Sequence, residues 1–300
     1  MALYYSDIFV LPLPAHHRFP MGKYARLRDR LLASGDFEAT DFIVPPGVTD
    51  AEIDRVHCPR YRERVVRGEL DAREQRAIGF PWSEAMVERS RRSSGATLAA
   101  AREALARGWS ANLAGGTHHA FRDRGEGFCV FNDAAIAARA LQAEAGLRRI
   151  AIVDCDVHQG NGSAAIFSRD ESVFTFSIHG ARNYPFAKEA SDLDTELADG
   201  TGDDEYLWHL ERGLDETLER ARPQLAFYLA GADPYEDDRL GRLKLTKRGL
   251  ARRDELVLST LFARGIPVAI AMAGGYARDI DDSVEIHANT LRAARRIHGF

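Results

Sequence analysis

Apolar, β-branched and aromatic residues gather in short runs along this chain: Leu3 to Val10, Ala111 to Ala114, Ile150 to Val153, Val173 to Ile178, Leu225 to Ala230 and Pro267 to Met272. Helical stretches separate them. That alternation points to an α/β architecture, a central and mostly parallel sheet with helices on both faces. Caps and periodicity mark the helices. Thr49 with Glu52 forms a capping box for a short helix reaching about His57. Ser83 caps a long helix to about Arg107, although Ser93-Ser94-Gly95 weakens its middle. Segments from Asp133 to Glu144, Asp203 to Arg222, Thr246 to Arg264 and about Asp281 onward complete the set. With 300 residues and 45% hydrophobic content there is ample material for one large core, so residues 1–300 are expected to form a single domain.

Polar chemistry falls in a regular place. Ala114 is followed by Gly115-Gly116-Thr117-His118-His119, Val153 by Asp154-Cys155-Asp156-Val157-His158, Ile178 by His179, Ala230 by Gly231-Ala232-Asp233, and Met272 by Gly274-Gly275-Tyr276. Each cluster lies just past the C-terminal end of an expected strand, the edge where open parallel sheets bind ligands. Residues far apart in sequence should therefore converge on one crevice.

The segment after Val153 is the most informative. In an extended strand, Asp154, Asp156 and His158 would share one face while Cys155 and Val157 packed on the other. Acidic groups rarely sit on a core strand without a partner, and a cation stabilises two of them together. A hydrogen-bonded strand terminus with His158 as a cap is the competing interpretation. A catalytic zinc takes three protein ligands and keeps an open position, and Asp156, His158 and Asp233 supply such a set. Zinc acidifies bound water and polarises a carbonyl, so hydrolysis of an amide or ester is the economical inference. His118 and His119 offer an acid and a base beside that water, one of them oriented by Asp154. Tyr276, on its Gly-Gly turn, is placed to donate its hydroxyl to a developing oxyanion. Gly160-Asn161-Gly162 lacks the third glycine and the lysine of a phosphate loop. Cys129 and Cys155 are expected in the core, and His16, His57, His209, His287 and His298 at the surface or in satisfied structural roles.

Taken in order, GGTHHA, GFCVFND, DCDVHQGNG, GAD and GGY resemble the zinc-dependent histone deacetylase superfamily, with the arginase/deacetylase fold, over about Leu11 to Tyr276. The resemblance implies that Asp156, His158 and Asp233 hold zinc and that His119 is the general base and acid. His118 is then its electrostatic partner, held by Asp154, and Tyr276 the oxyanion donor. It also implies an acyl-lysine tunnel walled by Phe128 and Tyr184, with Gly127 in that wall and Leu240 at its side, and places Arg18 behind the zinc at an internal channel. A structural potassium or sodium ion would sit among Asp154, Asp156, His158, Ser177 and Ile178. Gln159 and Asn161 stand where many relatives have histidine and aspartate. An Asn161 partner should leave His119 less basic than a carboxylate would. Together with Asp238-Arg239-Leu240-Gly241, these departures resemble the class IV branch and its bacterial relatives, which implies removal of long fatty acyl groups as well as acetyl from lysine.

The expected partner is an acyl-lysine protein or peptide, or a small acylated amine. An acetylpolyamine would favour an acidic rim, for which Glu236, Asp237 and Asp238 are candidates. A non-catalytic acyl-lysine binder is the reading from another class. Lys plus Arg number 40 against 45 Asp plus Glu, a formal charge of -5 that carries no nucleic-acid footprint. Three cysteines without a CxxC pair suit a reducing, cytoplasmic compartment. The apolar start has no basic n-region, and no window approaches the roughly eighteen apolar residues of a membrane span.

Overall fold

The computed structural model describes residues 2–14 and 16–299. One sheet contains β1 (Leu3–Tyr4), β2 (Phe42–Ile43), β3 (Trp109–Asn112), β4 (Ile150–Asp154), β5 (Val173–Gly180), β6 (Leu193–Leu197), β7 (Leu225–Leu229) and β8 (Val268–Ala271). Their spatial order is β2-β1-β3-β8-β7-β4-β5-β6, and every neighbouring pair is parallel. The helices are α1 (Lys23–Ala33), α2 (Asp50–Asp54), α3 (Pro59–Arg67), α4 (Ala72–Ile78), α5 (Glu84–Arg107), α6 (Asp133–Ala145), α7 (Asn161–Phe167), α8 (Asp203–Ala221), α9 (Lys247–Ala263) and α10 (Ile280–His298). α5 packs along β3 and β8 and against α6, whereas α1, α10, α9 and α8 pack on one another in that sequence.

Topology explains why distant residues meet. From β3 the chain goes to β4 and leaves between them a gap that β7 and β8 fill later. β3, β8, β7 and β4 are thus consecutive neighbours, and each is buried along its whole length. A crevice at such a change of winding direction is where a doubly wound sheet binds its ligand.

Several boundaries differ from the sequence expectation. The first strand stops at Tyr4, because Ser6 accepts the Phe9 N–H and Asp7–Phe9 form a 3₁₀ turn that drives Phe9 into the core. The helix capped by Thr49 ends at Asp54 rather than near His57. β2 and β6 escaped the apolar-run criterion because they are edge strands, β6 carrying half-exposed Asp194 and Thr195. His179 lies inside β5, not beyond it. Ser93-Ser94-Gly95 leaves α5 unbroken. A Cβ on Gly95 would lie 1.9 Å from the Pro46 carbonyl oxygen, so this glycine admits a close backbone approach.

Candidate active site

β4 ends at Asp154, and the carboxylates beyond it are presented by a chain of backbone turns rather than by alternation along an extended strand. Asp154 Oδ1 accepts the Asp156 N–H at 3.1 Å, and Asp156 Oδ1 accepts the His158 N–H at 2.9 Å. From β7's end, Asp233 Oδ1 accepts the Val157 N–H at 2.9 Å. From β8's end, Gly274 N–H donates to Asp156 Oδ2 at 2.8 Å. Each acidic residue thus fixes the loop that positions the next.

Asp156, His158 and Asp233 are buried, and their ligating atoms lie within 4.8 Å of one another. Asp233 Oδ2 accepts no well-aligned hydrogen bond and has only an ionic contact with His158. His158 Nδ1 stands 2.9 Å from Asp156 Oδ1 and 3.2 Å from Asp233 Oδ2. Two buried carboxylates resist carrying two charges without a cation. Burial and the Asp156 charge push Asp233 up to about 7, while Asp156 is held well below the usual carboxylate range despite its burial by the imidazoles of His118 and His158. Zinc fits this donor set, since a divalent ion would engage Asp233 Oδ2 and neutralise the pair. Gly274 leaves room for it. A Cβ there would lie 1.9 Å from Asp233 Oδ2 and 2.6 Å from Asp156 Oδ2.

The paired histidines follow β3 and are anchored by Asp133 at the start of α6, which accepts the Gly116 and Thr117 N–H groups at 2.9 and 2.7 Å. His118 Nδ1 lies 2.6 Å from Asp154 Oδ2, and His119 Nδ1 lies 2.7 Å from Asn161 Oδ1 at the start of α7. The two Nε2 atoms are 3.2 Å apart. An amide oxygen only accepts, so His119 carries its proton on Nδ1 and presents an unprotonated Nε2. Electrostatics agree with this assignment. Burial pulls His118 toward neutrality, but Asp154 and Asp156 outweigh it and hold its pKa up to about 9. His119, by contrast, is held well below the ordinary histidine value by burial and by the charges on His118 and His158.

Tyr276 is buried on the turn after β8, with its ring 6.3 Å from that of His158. Its N–H donates to Asp238 Oδ2 at 2.6 Å, and Asp238 Oδ1 accepts the Leu240 and Gly241 N–H groups at 2.8 and 2.9 Å. Asp238, read from sequence as one of three rim carboxylates, therefore points inward and ties the Tyr276 turn to the Leu240 loop. The other two do not line the cleft: Glu236 is exposed, and Asp237 pairs with Arg278 at 3.0 Å.

A cleft of about 530 Å³ opens over His119, His158 and Tyr276, with Gly127, Phe128, Tyr184 and Leu240 among its walls. Tyr184 stands edge-on to His119 at 5.0 Å and donates its hydroxyl to Glu126 at 2.7 Å. Arg18 is not behind the ligand triad. It is exposed in the outer cleft, because Phe19 beside it takes the inward position. Lys23 and Arg89 are buried cations behind the site, neither of them expected from the sequence. Lys23 packs against the turn that carries Gly274. It is buried and donates to the carbonyls of Ala273 and Gly275 at 3.0 and 3.4 Å, on either side of the glycine that borders the ligands. Its signal was available, since Lys23, Leu27 and Leu31 share one buried helix phase. A smaller hollow of about 30 Å³ lies behind the histidines, lined by Phe19, Tyr24 and Arg89.

Asp154 and Ser177, two residues of the expected monovalent-cation site, are register partners across β4 and β5, beside buried Ile178. There the Ser177 hydroxyl meets His179 Nδ1 at 2.9 Å. Cys129 and Cys155 are buried free thiols. His57 bonds the Phe121 carbonyl and the Asn132 N–H. His287 departs from the expectation of a surface or satisfied role, being buried with neither ring nitrogen partnered.

Comparison with known proteins places this geometry in context. The Histone deacetylase domain model matches residues 17–291. A Picosynechococcus sp. protein described as uncharacterized is 45% identical over 296 residues, covering 99% of this chain and 98% of that one. Histone deacetylase 2 of Arabidopsis thaliana is 31% identical over 293 residues, covering 93% of this chain and 76% of its own length. Among solved structures, acetylpolyamine aminohydrolase from Burkholderia pseudomallei is similar with a TM-score of 0.78 at 25% identity, covering 99% of each chain. An HDAC homolog from Aquifex aeolicus reaches a TM-score of 0.83 at 23% identity over 98% of this chain and 83% of that one, a likeness that shows the shared fold. A match that spans β2 to β8 and the strand ends that carry the site leaves one assignment: the chain belongs to the histone deacetylase domain family of hydrolases.

Proposed function

We propose that this protein is a zinc-dependent hydrolase that removes acyl groups from lysine side chains. The observation that carries the reading is the buried Asp-His-Asp set, with ligating atoms within 4.8 Å of one another, facing a neutral imidazole. Asp156, His158 and Asp233 would hold the zinc, which when bound supplies Lewis acidity to the amide carbonyl and the attacking water.

The chain's own residues do the rest. The acyl-lysine lies in the cleft with its amide between the rings of His119, His158 and Tyr276. His119 takes the water proton at Nε2, and Asn161 keeps the Nδ1 proton in place so that this tautomer persists. The Tyr276 hydroxyl donates to the oxyanion as the carbonyl becomes tetrahedral, and the positive charge held on His118 by Asp154 opposes the developing negative charge. His119 then returns its proton to the leaving lysine amine. A monovalent cation among Asp154, Asp156, His158, Ser177 and Ile178 belongs to the same reading as a stiffener of the β4–β5 ends. The hollow behind the histidines has room for a water or a short acyl tail, so acetyl is expected to be processed faster than octanoyl or myristoyl. Three free cysteines support a reducing, cytoplasmic setting. No helix of the described residues is long and apolar enough to cross a membrane.

Turnover of acetyl-, octanoyl- and myristoyl-lysine peptides and of acetylspermidine tests the reading, with Tyr276→Phe alongside. The variant should keep its zinc and lose about a hundredfold or more in kcat, the usual consequence of removing an oxyanion donor. An unchanged rate would take Tyr276 out of the reaction.

A further inference from the structure

The cleft mouth carries an electrostatic pattern that the chemistry of amide hydrolysis does not need. Arg18, Arg76, Arg182 and Arg242 all line it, and no carboxylate does so among the described residues. They come from four separate segments: the loop before α1, α4, the loop after β5 and the loop after Leu240. Arg182 and Arg242 share one counter-charge, Asp199, at 3.4 and 3.1 Å, with side chains 75% and 53% exposed. Arg18 and Arg76 are exposed and make no ion pair among the described residues. The basic surface continues beside the mouth in a depression lined by Arg18, Arg26, Arg239, Arg278 and Asp279, where Arg26 pairs with Asp281 and Arg278 with Asp237. All this sits on a chain whose formal charge is -5, so the arginines are concentrated here against the overall balance. Self-repulsion among them is tolerated, and a site of one sign focuses field toward ligands of the other.

We propose that this mouth selects acyl-lysines embedded in acidic sequence and disfavours polycations such as acetylated polyamines. The inference rests on the hydrolase reading above and adds its substrate class. A peptide is the fitting source of the negative charge. The arginines ring the opening on several sides, and Phe186, 86% exposed, stands 6.3 Å from Tyr184 as an apolar contact for residues flanking the lysine. Guanidinium groups pair with carboxylates in bidentate fashion, which suits Asp or Glu on either side of the acylated position.

The test compares acetyl-lysine peptides of one length whose flanking residues are Glu, Gln or Lys, with free Nε-acetyl-lysine and acetylspermidine as small-molecule arms. At low salt, kcat/KM for the Glu peptide should exceed that for the Lys peptide by about tenfold or more, chiefly through KM. The gap should shrink as added salt shortens the screening length. The double variant Arg76→Glu/Arg242→Glu should abolish or reverse the preference. Equal kcat/KM for the three peptides, or a preference for acetylspermidine, would overturn the proposal while leaving the hydrolase intact. If no substrate turned over, the hydrolase reading would fall instead. Peptide binding measured by fluorescence anisotropy would still decide the mouth's selectivity, with tighter binding of the Glu peptide as the expected result and no charge preference as the contrary one.

Discussion

Replacing Asn161 by Asp alters the protonation of the proposed base without touching a ligand of the metal. His118 and His119 are adjacent buried imidazoles with nearly equal Nδ1 contacts, 2.6 Å to a carboxylate in one and 2.7 Å to an amide in the other. The first is held up to about 9 and the second well below the ordinary value. A carboxylate at position 161 would place a negative charge on the order of 4 Å from the His119 ring centre. At an effective dielectric of 20 that is worth about 4 kcal/mol, or roughly 3 pH units in favour of the imidazolium. Part of this is lost because the new carboxylate is itself buried and resists ionisation. The net effect is still a rise. A base must be neutral to act, so raising its pKa moves the acid limb of kcat/KM to higher pH. Asn161→Asp should therefore lose activity on the acid side at a higher pH than the parent and recover as pH increases. Full pH profiles on an acetyl-lysine peptide measure the shift. An acid limb that stays in place in a zinc-loaded variant would show that His119 is not the group titrating there.

Other consequences follow from single contacts. Gly274→Ala should fold yet lose zinc, because its Cβ would collide with both ligand carboxylates; stoichiometric zinc retained after dialysis would contradict that. His57, buried and neutral, is depressed to about 4, with burial as the leading cause. Its folded pKa lies below the unfolded value of about 6.5, so its contribution is fully present above pH 6.5 and is lost as pH falls toward 4. The window is worth on the order of 3 kcal/mol. His57→Gln should be less stable at pH 7 but lose less stability between pH 7 and 4 than the parent. Urea melts across that range would show the two stabilities converging, and parallel curves would rule the linkage out.

Much of the frame was legible because buried parallel strands are largely apolar, as β7 and β8 are throughout and β4 is up to Asp154. Edge strands escape that rule: β6 reads Leu-Asp-Thr-Glu-Leu and is hardly apolar at all. The convergence of His118, Asp156, Asp233 and Tyr276 was visible from their common placement after strands. What the sequence could not show was that β7 and β8 insert between β3 and β4, which is what brings those four ends together. Orientation was the harder problem. Arg18 and Lys23 are cations only a few residues apart, and the inward lysine opens α1 on its buried face while the outward arginine lies in the loop before it. Asp238 likewise looked like one member of an acidic run, until the three N–H groups converging on its carboxylate revealed it as a brace for Tyr276. The arginine-lined mouth was invisible for the same reason, since its members are scattered from position 18 to position 242.

The most direct test is the rate of acetyl-lysine peptide hydrolysis by protein stripped of metal with a chelator, measured again after stoichiometric zinc is restored, for the parent and for Asp233→Asn. The parent should lose its activity with the metal and regain it with zinc, while Asp233→Asn binds zinc weakly and stays inactive. Undiminished hydrolysis by the stripped protein, or full activity in the variant, would contradict the assignment of Asp156, His158 and Asp233 as the catalytic metal site.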